Sequence, residues 1–152
     1  MLINGNLVMS SGSTYAIAFS GSAPVIGYSQ ATVTGTITLN NATLTVNTTG
    51  FSPTSLQRYY IVINDGGAAI TGTFNGMPNG SLVNVGGFVA DISYFGDSAI
   101  GSLNGGHDVV LYNFASVPEP KGVLGIIAFA ALAVGLYRHF LRGAALAFLF
   151  FN

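Results

Sequence analysis

The chain has 152 residues, of which 50% are hydrophobic and only 6% charged, and it contains no cysteine. Residues 1–120 carry one Arg against four Asp and one Glu, a net charge of −4. That balance excludes phosphate-backbone binding, which needs a basic patch, so no nucleic-acid partner is expected. The missing thiols exclude disulfides and thiolate chemistry. An ordinary soluble domain is about 25% charged, so here the polar surface must come from Ser, Thr, Asn and Gly. The length leaves room for one domain plus a tail.

Residues 1–115 read as β structure throughout. Tyr15, Ile17 and Phe19 alternate with small residues. From Thr32 to Leu39 every even position is Thr, and Val33, Ile37 and Leu39 hold three of the four odd ones. A period of two predicts one strand with a buried face and a hydroxyl face. Asn40 and Asn41 break the run, and Leu44 and Val46 then alternate with Thr43, Thr45 and Asn47. The same pattern predicts strands at Ile70–Phe74 and at Phe88, Ala90, Ile92 and Tyr94. Tyr59 to Ile63 and Val109 to Tyr112 are continuous apolar runs, as expected of strands covered on both faces. Turn signals separate them: Asn4-Gly5, Asp65-Gly66-Gly67, Asn75-Gly76, Asn79-Gly80, Gly86-Gly87 and Asn104-Gly105-Gly106.

No stretch before Val117 shows a helical period, so the expected fold class is all-β. Short strands with threonine faces, and repeated openings at Gly5-Asn6-Leu7 and Gly35-Thr36-Ile37, fit the stacked rungs of a parallel β-solenoid. At roughly 20 to 29 residues per rung, residues 1–115 would make about four or five turns. A β-sandwich is the alternative.

The tail is different. After Val117, Pro118, Glu119, Pro120 and Lys121, the stretch from Gly122 to Tyr137 holds no charge and no Asn, Gln, Ser or Thr; Arg138, His139, Phe140, Leu141 and Arg142 follow. A spanning helix needs about 20 apolar residues, and Arg and Lys can snorkel at its ends. A buried core helix would keep one polar face. Residues 122–142 are therefore read as a transmembrane helix. The Arg excess at Arg138 and Arg142 sets its C-terminus in the cytoplasm and residues 1–115 outside. Pro118 and Pro120 hold residues 116–121 extended and short of amide donors, an exposed linker that a processing enzyme can grip. Residues 143–152 add a further apolar extension.

These tail residues resemble the PEP-CTERM sorting signal: Pro-Glu-Pro, a short spanning helix and a basic end. The resemblance implies an exosortase as partner and removal or replacement of the tail during export. It makes Val117, Pro118, Glu119 and Pro120 the sorting motif and Arg138 and Arg142 the basic membrane flank. The body is similar, in order, to the closing segment of autotransporter-associated β-strand repeat proteins. The stretches are Gly35 to Leu39, Ala42 to Val46, Tyr60 to Asn64, Ile70 to Phe74, Val85 to Phe88, Ile92 to Tyr94 and Gly106 to Leu111, with His107 where that family usually has Asn. That resemblance implies a right-handed parallel β-helix and a role in surface display, adhesion or matrix structure, at the cell envelope or outside the cell. Residues 1–6 show no export signal, so the chain is expected to be the C-terminal piece of a longer exported protein.

Catalytic constellations are sparse. Ser98 follows Gly96-Asp97 and could be a nucleophile, which would need a base and an orienting acid. His107 is the histidine of this region, and an extended chain turns its neighbour Asp108 to the opposite face. Asp65, Asp91, Asp97 and Asp108 are oxygen donors without a calcium-loop spacing, and read better as turn residues. The paired carboxylates of a glycosidase are not evident, and Arg58 reads as a solvated turn residue. No cofactor or metal is expected, and no enzymatic activity. Tyr15, Tyr28, Tyr59, Tyr60 and Tyr94 offer the alternative function: a stacking platform for extracellular polysaccharide in a biofilm matrix, with Tyr15 and Tyr94 marked as core-facing by their periodicity.

Overall fold

A computed structural model describes residues 1–118, whose compact unit runs from Met1 to Val117. Among the described residues there are ten strands and no helix, an all-β fold. They are β1 (Leu2–Ile3), β2 (Leu7–Val8), β3 (Thr14–Phe19), β4 (Ala31–Val33), β5 (Ile37–Thr38), β6 (Thr43–Thr48), β7 (Tyr59–Asn64), β8 (Leu82–Asn84), β9 (Phe88–Gly96) and β10 (Asp108–Ser116).

The first seven strands pair with one another in parallel. β1, β4 and β7 form one ladder, β2 and β5 a second, β3 and β6 a third. The partners Leu2↔Thr32, Leu7↔Ile37, Thr14↔Thr43 and Ala31↔Val62 lie 29 to 31 residues apart in sequence. Side chains bridge the same step. Asn6 Oδ1 accepts the Thr36 amide at 2.9 Å, across a separation of 30 residues. The two glycine openings are thus one structural position in successive passes. Gly35 donates its amide to the Gly5 carbonyl at 3.0 Å. A Cβ on Gly35 would lie 2.6 Å from the Gly5 carbonyl carbon, and one on Gly66 2.8 Å from that of Gly35. Contacts this short are prohibitive, so only glycine lets the three corners stack at strand spacing.

Two expectations need correction here. Thr32 to Leu39 is not one strand: it is β4 and β5 with the Thr34–Gly35 corner between them. Burial still alternates through the corner, with Val33, Ile37 and Leu39 at 0 to 1% exposure. Ile70–Phe74 is not a strand either. It runs beside β5 through one parallel bridge, Thr38↔Thr71, and through bonds from Leu39 N to Thr71 O and from Asn41 N to Thr73 O. Gly72, at φ +74°, takes the backbone out of strand geometry. Asn40 and Asn41 do break the chain as their side chains suggest, both at positive φ (43° and 57°).

After Phe74 the pairing changes. β10 lies antiparallel to β7, β9 to β10 and β8 to β9, completing the six-stranded order β1-β4-β7-β10-β9-β8. The four or five stacked rungs expected over residues 1–115 are not shown. The step from Asn6 to Thr36 takes 30 residues, longer than the expected rung of roughly 20 to 29. Residues beyond Phe74 then add antiparallel strands instead of further parallel passes.

β7 and the first half of β10, Asp108 to Leu111, are buried on both faces. Tyr59, Ile61, Val109 and Leu111 belong to the hydrophobic core. The 97–107 connection closes over the opposite face, where the Tyr60 hydroxyl donates to Ser102 O (2.8 Å) and the Ser93 hydroxyl to Leu103 O (3.0 Å). An aromatic cluster joins the parallel and antiparallel parts: the Tyr59 ring lies 4.5 Å from Phe19, 5.0 Å from Tyr28 and 5.2 Å from Phe114. Such pairs add about 0.5–1.5 kcal/mol each beyond the area they bury.

Candidate functional site

The chemistry-bearing side chains gather at the C-terminal end of β7. Asn64, Asp65, Asp97, Ser98, His107 and Asp108 line a cleft of about 210 Å³. Three elements build it: the end of β7, the turn after β9 and the start of β10. Ser98 and His107 thus lie at one site although a whole loop separates them in sequence. The neighbours His107 and Asp108 diverge, the first exposed and the second 6% exposed.

Asp108 is the organising residue. Its Oδ1 accepts the Asn64 amide and its Oδ2 the Ser98 amide, each at 2.8 Å. Both carboxylate oxygens are therefore engaged by backbone donors from two other segments, as buried polar atoms require. Asp97 makes a local bond, accepting the Ala99 amide at 3.0 Å. The hydroxyl of Ser98 has no hydrogen bond to His107, and the Asp108 carboxylate holds loops together rather than orienting an imidazole. No group of three or more His, Cys, Asp or Glu side chains is arranged to hold a metal among the described residues. Sequence reasoning placed Asp108 in a turn; its partners are 44 and 10 residues away, a distance that no local pattern reveals.

Arg58 is exposed as expected, yet anchored: its Nη1 donates to the Gly101 carbonyl, tying the start of β7 to the covering loop.

The five tyrosines are not a platform. Tyr28, Tyr59, Tyr60 and Tyr94 are 1 to 8% exposed and Tyr15 is half-buried. Their hydroxyls are also used: Tyr15 donates to Ile61 O (2.8 Å), Tyr59 to Gln57 Oε1 (2.9 Å) and Tyr94 to Met77 O (2.8 Å) while accepting the Phe74 amide. Burial pushes the Tyr15, Tyr59 and Tyr94 phenols up to about 12, because the phenolate loses hydration.

At the chain exit, Val117 donates its amide to Gly87 O at 3.0 Å, and Pro118 is exposed outside any strand. Val117 and Pro118, the first two residues of the expected sorting motif, thus follow directly on the end of the sheet. Glu119, Pro120, Arg138, Arg142, the expected helix over 122–142 and the 143–152 extension lie outside the described residues. No helix among the described residues is long and apolar enough to cross a membrane. No family, curated protein or solved structure matches the chain.

Proposed function

We propose that this chain is a non-catalytic structural or adhesive protein of the cell surface or extracellular matrix, exported and sorted through a PEP-CTERM tail that an exosortase reads. Its body is then the terminal part of a right-handed parallel β-solenoid. The observation that carries this reading is the pairing pattern. Three parallel ladders each join a strand to its equivalent one pass later, and on one side antiparallel β10, β9 and β8 follow. Stacked passes build a long surface at low sequence cost, and a change to antiparallel strands ends the stack. Parallel ladders of this kind are foreign to an antiparallel sandwich. The exposed Pro118, just past the last sheet bond, supports the sorting part, because a peptidase needs an extended substrate free of a sheet.

The polysaccharide-binding alternative has no observation in its favour, since its five tyrosines are packed and hydrogen-bonded inside the domain.

Processing is tested by intact-mass analysis of the protein recovered from its native cell surface, with and without the exosortase. A C-terminus between Pro118 and Lys121 in the first case, and residues 122–152 retained in the second, is expected. A chain that keeps its last residue, Asn152, in both cases overturns the sorting reading.

A further inference from the structure

We propose that the free edge of β6 is a docking site for an extended, uncharged segment of a partner protein, which adds to β3 and β6 as a third parallel strand. The inference concerns the β domain alone; it goes beyond the sorting reading and does not depend on it.

The three parallel ladders differ in how far they are filled. β7 extends the ladder of β1 and β4. Residues 70–75 extend that of β2 and β5: Thr71 donates to Ile37 O and accepts the Leu39 amide, and Asn41 donates to Thr73 O. The last bond of this series runs from Asn75 N to Ala42 O at 2.9 Å, immediately before β6 begins at Thr43. There the chain turns away, with Gly76 at φ +68° and a bond from Met77 N to Phe74 O. It meets β6 again at the far end, where Gly86 O accepts the Thr48 hydroxyl at 3.0 Å. Among the described residues β6 therefore keeps β3 as its one neighbouring strand.

Between those two points lies a slot of about 330 Å³, with Leu44 to Asn47 on one side and Met77, Asn84 and Gly86 on the other. The register says what the β6 wall offers. The Thr43 amide donates to Ser13 O and the Thr49 amide to Phe19 O, so the odd-numbered residues of β6 face β3. The main-chain groups of Leu44 and Val46 face the slot instead, and there they have no backbone partner among the described residues. A row of unpaired N–H and C=O groups is a template for another strand, which natural edges blunt with charge, proline or a bulge. Residues 43–48 contain no charge and no proline, and they pair with β3 without a register shift. The outer edge of β3, by contrast, is taken at Ala18, which donates to Ser29 Oγ and accepts the Ser29 amide.

The slot also dictates its occupant. A residue opposite Thr45 would donate its amide to Leu44 O and accept the Val46 amide, and one opposite Asn47 would donate to Val46 O. Opposed side chains of paired strands share a face. The residue opposite the buried Val46 thus points inward and is aliphatic, while its neighbours point outward with the exposed Thr45 and Asn47. β3 presents the same alternation to β6 at Ala16, Ile17 and Ala18. The lining holds no charged side chain, so an ionised residue in the slot would be desolvated without compensation. Strand addition of this kind draws affinity from main-chain bonds and specificity from alternate side chains.

The test uses the full chain in a non-ionic detergent and a fluorescein-labelled octapeptide copying residues 42–49, read by fluorescence anisotropy. Saturable binding is expected. N-methylation of the peptide amide copied from Thr45, which faces the slot, should weaken it about tenfold, as the loss of one hydrogen bond predicts. N-methylation of the next amide, copied from Val46, faces outward and should change binding by less than about twofold. In the protein, Val46→Pro removes one slot-facing amide at an edge position, where proline is tolerated. It should weaken binding about tenfold with an unchanged circular-dichroism spectrum; if that spectrum is lost, the methylation contrast decides alone. No saturable binding, or equal loss at both methylation sites, overturns strand addition. Undiminished binding to a folded Val46→Pro chain overturns the assignment to β6. Self-association of the native chain that excludes the peptide overturns it in favour of a second copy in the slot.

Discussion

Replacing Asp108 tests the reasoning behind the cleft most directly. In Asp108→Ala the amides of Asn64 and Ser98 lose acceptors that stand 2.8 Å away. A hydrogen bond to a charged group is worth about 1.5–3 kcal/mol, and a buried donor left without a partner costs about 1–3 kcal/mol. Asn64 is buried, so its amide bears the full cost, whereas Ser98 is half-buried and water recovers part of it. The combined loss is about 3–4 kcal/mol. For a chain of this size that lowers the thermal midpoint by about 10–15 °C. Asp108→Asn keeps one acceptor oxygen and turns an NH2 group toward the other amide, so it should lose about half as much. His107→Ala, at an exposed neighbouring position, should change stability by less than about 0.5 kcal/mol. The assay is thermal and urea unfolding followed by circular dichroism and tyrosine fluorescence. A loss below about 1 kcal/mol in Asp108→Ala would refute the view that this carboxylate joins β7, β10 and the 97–99 turn.

Gly35→Ala forces a methyl group against the Gly5 carbonyl carbon at 2.6 Å and should destabilise by about 1–3 kcal/mol in urea unfolding. Gly12→Ala, which meets nothing within 4 Å, should be neutral or slightly stabilising in the same experiment. Phe19→Ala empties the centre of the aromatic cluster and should cost about 3–5 kcal/mol, with loss of near-ultraviolet dichroism from the tyrosines it contacts. Stability should also fall in alkali. The folded pKa values of Tyr15, Tyr59 and Tyr94 are raised to about 12 from 10, so their contribution is complete below about pH 10 and lost as pH rises toward 12. Each contributes a slope of at most about 1.4 kcal/mol per pH unit in that window. A urea midpoint that stays constant from about pH 9 to about pH 11.5 would contradict the burial of these phenols.

The strands themselves were legible because their apolar residues alternate, and the run at Tyr59–Ile63 was legible as doubly covered because it does not. The corner at Gly35 was hidden by the same rule. Val33, Ile37 and Leu39 keep the inward phase across the bend, so periodicity alone reads two strands as one. The spacing between Gly5-Asn6-Leu7 and Gly35-Thr36-Ile37 held the missing information, since Leu7 pairs with Ile37. Tyr15 and Tyr94 were placed inward by their strands' alternation, while Tyr28 sits in a connection where no period applies and is buried by Phe19 and Tyr59. The Asp108 bonds and the change from parallel to antiparallel pairing depend on segments far apart in sequence. Local patterns carry no trace of either.

The parallel step is not constant, and the place where it changes has a practical consequence. Phe19 pairs with Thr48 and Ala31 with Val62, so the path from Phe19 to Ala31 in one pass matches the path from Thr48 to Val62 in the next. The second path is longer by two positions, and both ladders still hold their register. Extra length is absorbed in the 49–58 segment without displacing a strand. That segment is accordingly the graft point of the domain: a foreign peptide inserted between Ser55 and Leu56 should leave the ladders intact, whereas one methyl group at Gly35 should not.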